Sequence, residues 1–203
     1  MNQERPMNEN QTPAKEDARI VRTKRDLANA LEELLQVKSM EDISIKDITD
    51  KALISKNTFY NNFADKNELL LFLFSRYEAE LIKEIKPILD KTLYATRLFS
   101  FRKVVEIIVH FFYTTPLPLK RIIANDTSHV LFYGLNLFIQ DIFGKLEAKY
   151  GKFLTKKINS ENTVPFFSGA FASTIYFAYV RNLDLPEKTV AKDIIRLSYP
   201  IVE

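Results

Sequence analysis

The stretch from Ile43 to Leu70, ISIKDITDKALISKNTFYNNFADKNELL, constrains this chain most. It reads as two short helices joined by a tight break and followed at once by a third. Ser44 is a good N-cap for the first, because its hydroxyl can accept from the unpaired N–H groups that every helix start exposes. Ile45, Ile48 and Ala52 then share one face. Ser55 is a second N-cap, and Phe59 and Phe63, four apart, can turn together toward a core. The outward face of that second helix carries Lys56, Asn57, Thr58, Tyr60 and Asn61. One cation, two amides, a hydroxyl and a phenol on a short exposed helix are the groups that contact phosphates and base edges in a DNA major groove.

Charge alone would not suggest this. The chain of 203 residues has a net charge of +3, and residues 1–66 hold 11 Lys plus Arg against 12 Asp plus Glu, a net of −1. Position matters more: Lys15, Arg19, Arg22, Lys24 and Arg25 crowd the start of the first helix, whereas Glu32 and Glu33 stand at its end. Beside the helix pair, that cluster reads as phosphate-facing rather than as an ordinary solvated helix end.

Sixteen Phe, nine Tyr and only four Gly, with long helical periodicities, predict an all-α fold. The absence of Cys excludes disulfides, thiolate zinc sites and a cysteine nucleophile, and is compatible with a cytoplasmic location. Met1 to Lys15 is polar and lacks the apolar core of a signal peptide; residues 1–14 are expected to be a disordered tail. The longest apolar stretch, Phe166 to Val180, is interrupted by Ser168, Ser173 and Thr174 and falls short of a membrane span.

The pattern predicts a first helix from about Glu16 to Val37 with Ile20, Leu27, Leu31, Leu34 and Leu35 on its buried stripe. Asp65 and Glu68 form a capping-box-like pair at the start of a long helix that Pro87 is expected to stop. Beyond it come a helix from about Ser100 to Tyr113, a break at Thr114–Pro118, a short helix to Ala124 and a long one from Asp126 or Thr127 to Tyr150. Gly151 to Glu161 reads as a polar loop, Thr163 or Val164 to Asn182 as an apolar helix buried all round, and Pro186 as the first turn of a last helix to about Tyr199.

The run Ala52-Leu53-Ile54-Ser55-Lys56-Asn57-Thr58-Phe59-Tyr60-Asn61-Asn62-Phe63-Ala64-Asp65-Lys66 resembles the tetracycline-repressor (TetR) family of bacterial transcription regulators, over about residues 15–80. Two departures stand out: Leu53 occupies a turn position where the family commonly has Gly, and Asn62 one where it often has His. Phe167-Ser168-Gly169-Ala170, Val180-Arg181-Asn182 and Pro186-Glu187 are similar to the C-terminal half of regulators related to dihydroxyacetone kinase regulators.

The resemblance implies a helix-turn-helix DNA-binding domain at 15–66 and a linker helix with a ligand-binding and dimerisation domain at 67–203. It implies phosphate contacts from Tyr60, Lys56, Thr58 and Ser55. Asn57 and Asn61 are the candidates for base reading, since amides pair with adenine edges. Lys66, at a helix start, and Ser44 and Thr23 are further phosphate candidates. The partners expected are an operator duplex, a second copy of the chain and a small-molecule effector, with no membrane and no cofactor. The expected action is a repressor released from a pseudo-palindromic operator. Control by a protein partner, or a helical interaction module that binds no DNA, are the alternatives.

His110, Tyr113, His129, Tyr133, Phe167 and Tyr176 are the candidate lining of an apolar effector cavity, with plain core packing as the competing reading. A metal role for the two histidines lacks carboxylate partners at ligand spacing. No Gly-rich phosphate loop, paired-carboxylate motif or nucleophile elbow supports an enzyme.

Overall fold

A computed structural model describes residues 18–91, 97–114, 130–150, 160–180 and 185–202. Among these the chain forms eight helices and no strand: α1 (Ala18–Leu35), α2 (Ile45–Ala52), α3 (Lys56–Tyr60), α4 (Lys66–Lys91), α5 (Arg97–Thr114), α6 (Val130–Tyr150), α7 (Ser160–Val180) and α8 (Glu187–Val202). The predicted short helix ending at Ala124 and the start at Asp126 or Thr127 lie outside the described residues, as does the tail.

Pro87 does not stop α4, which runs one turn past it to Lys91. A proline removes the N–H that would bond to the carbonyl four residues back, here Lys83. Lys83 and Pro87 both face solvent, so water can serve that carbonyl, while Ile85 and Leu89 stay buried and hold the last turn. Pro165 likewise sits inside α7, which begins at Ser160 where a loop was expected.

The core is one continuous apolar cluster. Leu27, Leu31 and Leu35 of α1 meet Ile48, Phe59, Phe63 and the Leu69–Leu73 stripe of α4. Farther along, α4 packs on α5 and α6, α6 on α7, and α5 on α8. The α4–α6 approach depends on a glycine: a Cβ on Gly134 would lie 2.8 Å from the Phe74 ring. Alanine there would force the ring or the helix to move.

In the single chain α7 is buried on one face only, where the sequence predicts burial within the subunit or in a dimer face shared with the last helix. Phe167, Ser168, Phe171, Ala172 and Ile175 face inward, but Phe166 and Phe177 are 58% and 51% exposed. These two residues lie eleven apart, three turns on the same face. Leu197 of α8 is 76% exposed. Among the described residues, no helix is long and apolar enough to cross a membrane.

Candidate nucleic-acid interface and adjoining cleft

The helix pair is built by reciprocal caps. Ser44 Oγ accepts from the Asp47 N–H at 3.1 Å, and Asp47 Oδ2 accepts from the Ser44 N–H at 2.8 Å and the Ser44 hydroxyl at 2.6 Å. Those bonds favour the carboxylate and hold the Asp47 pKa down at about 2, the Ser44 hydroxyl contributing most. The turn out of α2 uses Leu53 at φ 56°, a left-handed residue whose side chain is 93% exposed. Ile54 N–H then donates to the Thr49 carbonyl at 2.9 Å, and Leu53 N–H to Asp50 at 3.3 Å, satisfying the last carbonyls of α2. Ser55 caps α3, its Oγ accepting from the Thr58 N–H at 3.1 Å and lying 2.9 Å from the Thr58 hydroxyl.

Phe59 and Phe63 are buried as expected, which turns Lys56, Asn57, Tyr60 and Asn61 to solvent with Thr58 half-buried beside them. The Phe59 ring meets Tyr60 edge-on with centroids 5.6 Å apart. Asn62 Nδ2 donates to the Thr58 carbonyl at 2.7 Å and closes the end of α3. Thr23 is half-buried on α1. Arg22 and Arg25 both lie against Asp26, at 3.8 and 2.9 Å. Such exposed pairs are worth little and exchange readily for phosphate.

Lys66 is placed differently from its expectation. Its ammonium donates to three backbone carbonyls, Met40 at 2.6 Å, Ile43 at 2.9 Å and Glu41 at 3.2 Å. All three of its donors are spent tying α4 to the α1–α2 connection. Asp65 caps α4 by accepting from the Asn67 and Glu68 N–H groups, both at 2.8 Å, while Glu68 reaches back to the Ala64 N–H at 2.5 Å rather than to Asp65.

Three successive residues of α4 then join both ends of the molecule. Arg76 donates to Asn29 Oδ1 of α1 at 2.8 Å, and the Tyr77 hydroxyl donates to the Glu32 carboxylate. Burial, then the bond to Glu32, push the Tyr77 pKa up. Glu78 points the other way, is 4% exposed, and accepts from the Lys145 ammonium of α6, which also bonds Asp141 at 2.9 Å. Burial raises the Glu78 pKa, and the bond to Glu78 raises that of Lys145. Sequence reasoning passed over Glu78. The signal was present, since Phe74, Tyr77, Glu78 and Leu81 follow the spacing of a buried stripe and put a carboxylate inside it.

Beside Glu78 an open cleft of about 580 Å³ lies between α4, α6 and the start of α7. Its walls include Phe74, Leu71, Phe138, Leu137, Val164 and Pro165. The predicted cavity residues do not line it. Phe167 packs on Phe101, Tyr176 on Phe132, and Tyr133 faces solvent. His110 lies 3.0 Å from Glu187, and the Tyr113 hydroxyl donates to the Leu185 carbonyl at 2.8 Å, so both tie α5 to the chain entering α8. His129 lies outside the described residues. Among the described residues no cluster of metal-ligating side chains occurs.

These features define an all-helical protein that presents a helix-turn-helix at one end and carries a cleft against its long fourth helix. Residues 24–73 match the family model described as bacterial regulatory proteins, tetR family, which places a helix-turn-helix of that family's type in the first part of the chain. Over 62 residues it is 39% identical to the HTH-type dhaKLM operon transcriptional activator DhaS of Lactococcus lactis, covering 30% of this chain and 33% of that protein. The match thus spans about a third of that relative's length. A solved structure of a dihydroxyacetone kinase operon activator DhaS superposes with a TM-score of 0.55 at 17% identity, over 90% of this chain and 97% of the other. The Thermus thermophilus FadR, a tetR-family transcriptional repressor in complex with lauroyl-CoA, gives 0.56 at 14% identity over 87% and 93%. The two solved structures establish likeness of fold.

Proposed function

We propose that this chain is a dimeric, DNA-binding transcription regulator whose operator affinity is set by a small molecule bound among its C-terminal helices. The observation that carries the reading is the α3 face, on which Lys56, Asn57, Tyr60 and Asn61 stand free of the core while Phe59 and Phe63 anchor the helix. Lys56, Tyr60 and Thr58 serve as phosphate contacts, and Asn57 and Asn61 read base edges. Ser44, Ser55 and Lys66 act as positioning residues, since their polar groups already cap helices or hold carbonyls. The exposed apolar stripe of α7 with Leu197 of α8 supports pairing of two copies through these helices. Two recognition helices would then reach successive major grooves about 34 Å apart. A shift of α4 changes that spacing, and a coupling of roughly 1–3 kcal/mol changes operator affinity about 5- to 150-fold.

The expected sign is release of a repressor. The name of the DhaS relative favours the opposite sign, activation, and a reporter gene behind a selected operator decides between them. DNA binding itself is tested by selecting bound sequences from a random duplex library and measuring affinity against salt. Counterion release predicts a steep fall of log affinity with log salt, and a flat dependence removes the reading. Lys56→Ala and Tyr60→Phe should weaken all sequences alike, whereas Asn57→Ala or Asn61→Ala should relax preference at single bases. Phe177→Glu should give a folded monomer in sedimentation.

A further inference from the structure

We infer that the cleft between α4, α6 and α7 is a binding site for a small organic cation with an apolar or aromatic body, and that Glu78 is its counter-charge. The assignment rests on the reading of this chain as a ligand-responsive regulator and names the class of ligand. The volume of about 580 Å³ falls in the range of small-molecule sites. The walls supply apolar contact from Leu71, Leu137, Val164 and Pro165, with the Phe74 and Phe138 rings 5.9 Å apart between centroids. Ring faces attract cations and give anions no corresponding gain.

The charge of the lining is one-sided. Glu78, Asp141 and Glu161 line the cleft, and among the described residues no Lys, Arg or His does. A buried carboxylate such as Glu78 needs a cation or a proton. In this structure the cation is Lys145, which approaches from the rim with 55% of its side chain exposed, against 6% for Glu78. Lys145 therefore acts as a tethered stand-in. As Lys145 withdraws into water, an incoming ammonium can take over neutralisation of Glu78 while its body fills the apolar space. An anion or neutral molecule of the same shape cannot make that exchange. The readout is local too: Arg76 and Tyr77, in the same turn as Glu78, hold Asn29 and Glu32 of α1.

The test titrates the full chain with phenethylammonium and benzyltrimethylammonium, against phenethyl alcohol and hydrocinnamate as neutral and anionic counterparts, by calorimetry and thermal shift. The expected result is binding of both cations at least about tenfold tighter than the alcohol, with hydrocinnamate weakest. Glu78→Gln should erase the difference between cation and alcohol. Lys145→Ala, with folding checked by circular dichroism and Lys145→Gln as the milder variant, should tighten cation binding severalfold by removing the competitor. A merely structural ion pair predicts no such tightening. Equal affinity for all four probes, or unchanged cation affinity in Lys145→Ala, overturns the proposal. Duplex binding by the unliganded chain is measured alongside. A chain that binds cations through Glu78 but not DNA keeps the site and loses the regulator reading. A chain that binds DNA without cation preference does the reverse.

Discussion

The helix-turn-helix end and the C-terminal helices bury similar aliphatic and aromatic side chains, but their polar groups work over different ranges. In α2 and α3 the key bonds join residues three or four apart: Ser44 with Asp47, Ser55 with Thr58, Asn62 with Thr58. Beyond α4 they join residues far apart in sequence: Glu78 with Lys145, 67 apart, and His110 with Glu187, 77 apart. Lys66, reaching back 23 to 26 residues, is one exception inside the first region, and Lys51, paired with Glu33 of α1 at 2.7 Å, is another. A shape fixed by local bonds can be held by a short stretch of chain. One fixed by distant bonds exists only when several helices are in place.

The contrast breaks most sharply if core damage spreads. Phe59→Ala and Phe143→Ala each empty a fully buried ring site and should destabilise by about 3–5 kcal/mol. Hydrogen exchange should show loss of protection in residues 18–63 for the first and in residues 130–150 and 160–180 for the second. Uniform loss in both would mean that α4 welds the regions into one cooperative unit, as the continuous core permits.

That difference in range also explains what could be read in advance. The caps at Ser44 and Ser55, the inward Phe59 and Phe63 and the outward α3 face follow from i, i+3 and i, i+4 spacing, which sequence displays directly. The cleft was not legible, because it is made by Phe74 meeting Gly134 and Glu78 meeting Lys145, pairs that no period specifies. Aromatic count pointed to a cavity, but residues named for it such as Phe167 and Tyr176 do not line this cleft. Pro87 misplaced a helix end because exposure of the orphaned carbonyl, invisible in sequence, decides whether a proline stops a helix.

Lys66→Ala sharpens the comparison at one of its exceptions. It leaves three carbonyls without their charged donor, and hydrogen bonds to charged groups are worth about 1.5–3 kcal/mol. The expected outcome is a lower melting temperature without DNA present. Unchanged stability with weakened DNA binding would instead return Lys66 to the role of phosphate contact.

The capping box offers a smaller effect with a pH signature. Ser44→Ala should cost about 1 kcal/mol. The Asp47 carboxyl is depressed from 3.8 to about 2 in the folded chain, so its contribution is complete above about pH 4 and is lost as pH falls toward 2. In Ser44→Ala that loss on acidification should shrink, with the Ser44 N–H bond to Asp47 keeping part of it, which thermal melts across this window would detect.

The smallest effect runs in the opposite direction. Leu53 holds a left-handed conformation at φ 56°, for which a residue with a Cβ pays about 1–2 kcal/mol relative to glycine. Glycine would relieve that strain but lose about 0.5–1 kcal/mol through the greater freedom of its unfolded chain. The Leu53 side chain is 93% exposed, so little packing is lost with it. Leu53→Gly should therefore stabilise by roughly 0.5–1 kcal/mol, a rise of about 2 °C for a chain of this length. Because the turn sets the angle between α2 and α3, the same substitution tests whether local geometry alone fixes the reading helix. A stabilised variant with unchanged DNA affinity says that the caps suffice. Weakened DNA binding in a stabilised protein would instead give the exposed leucine a contact of its own on the duplex or on a partner.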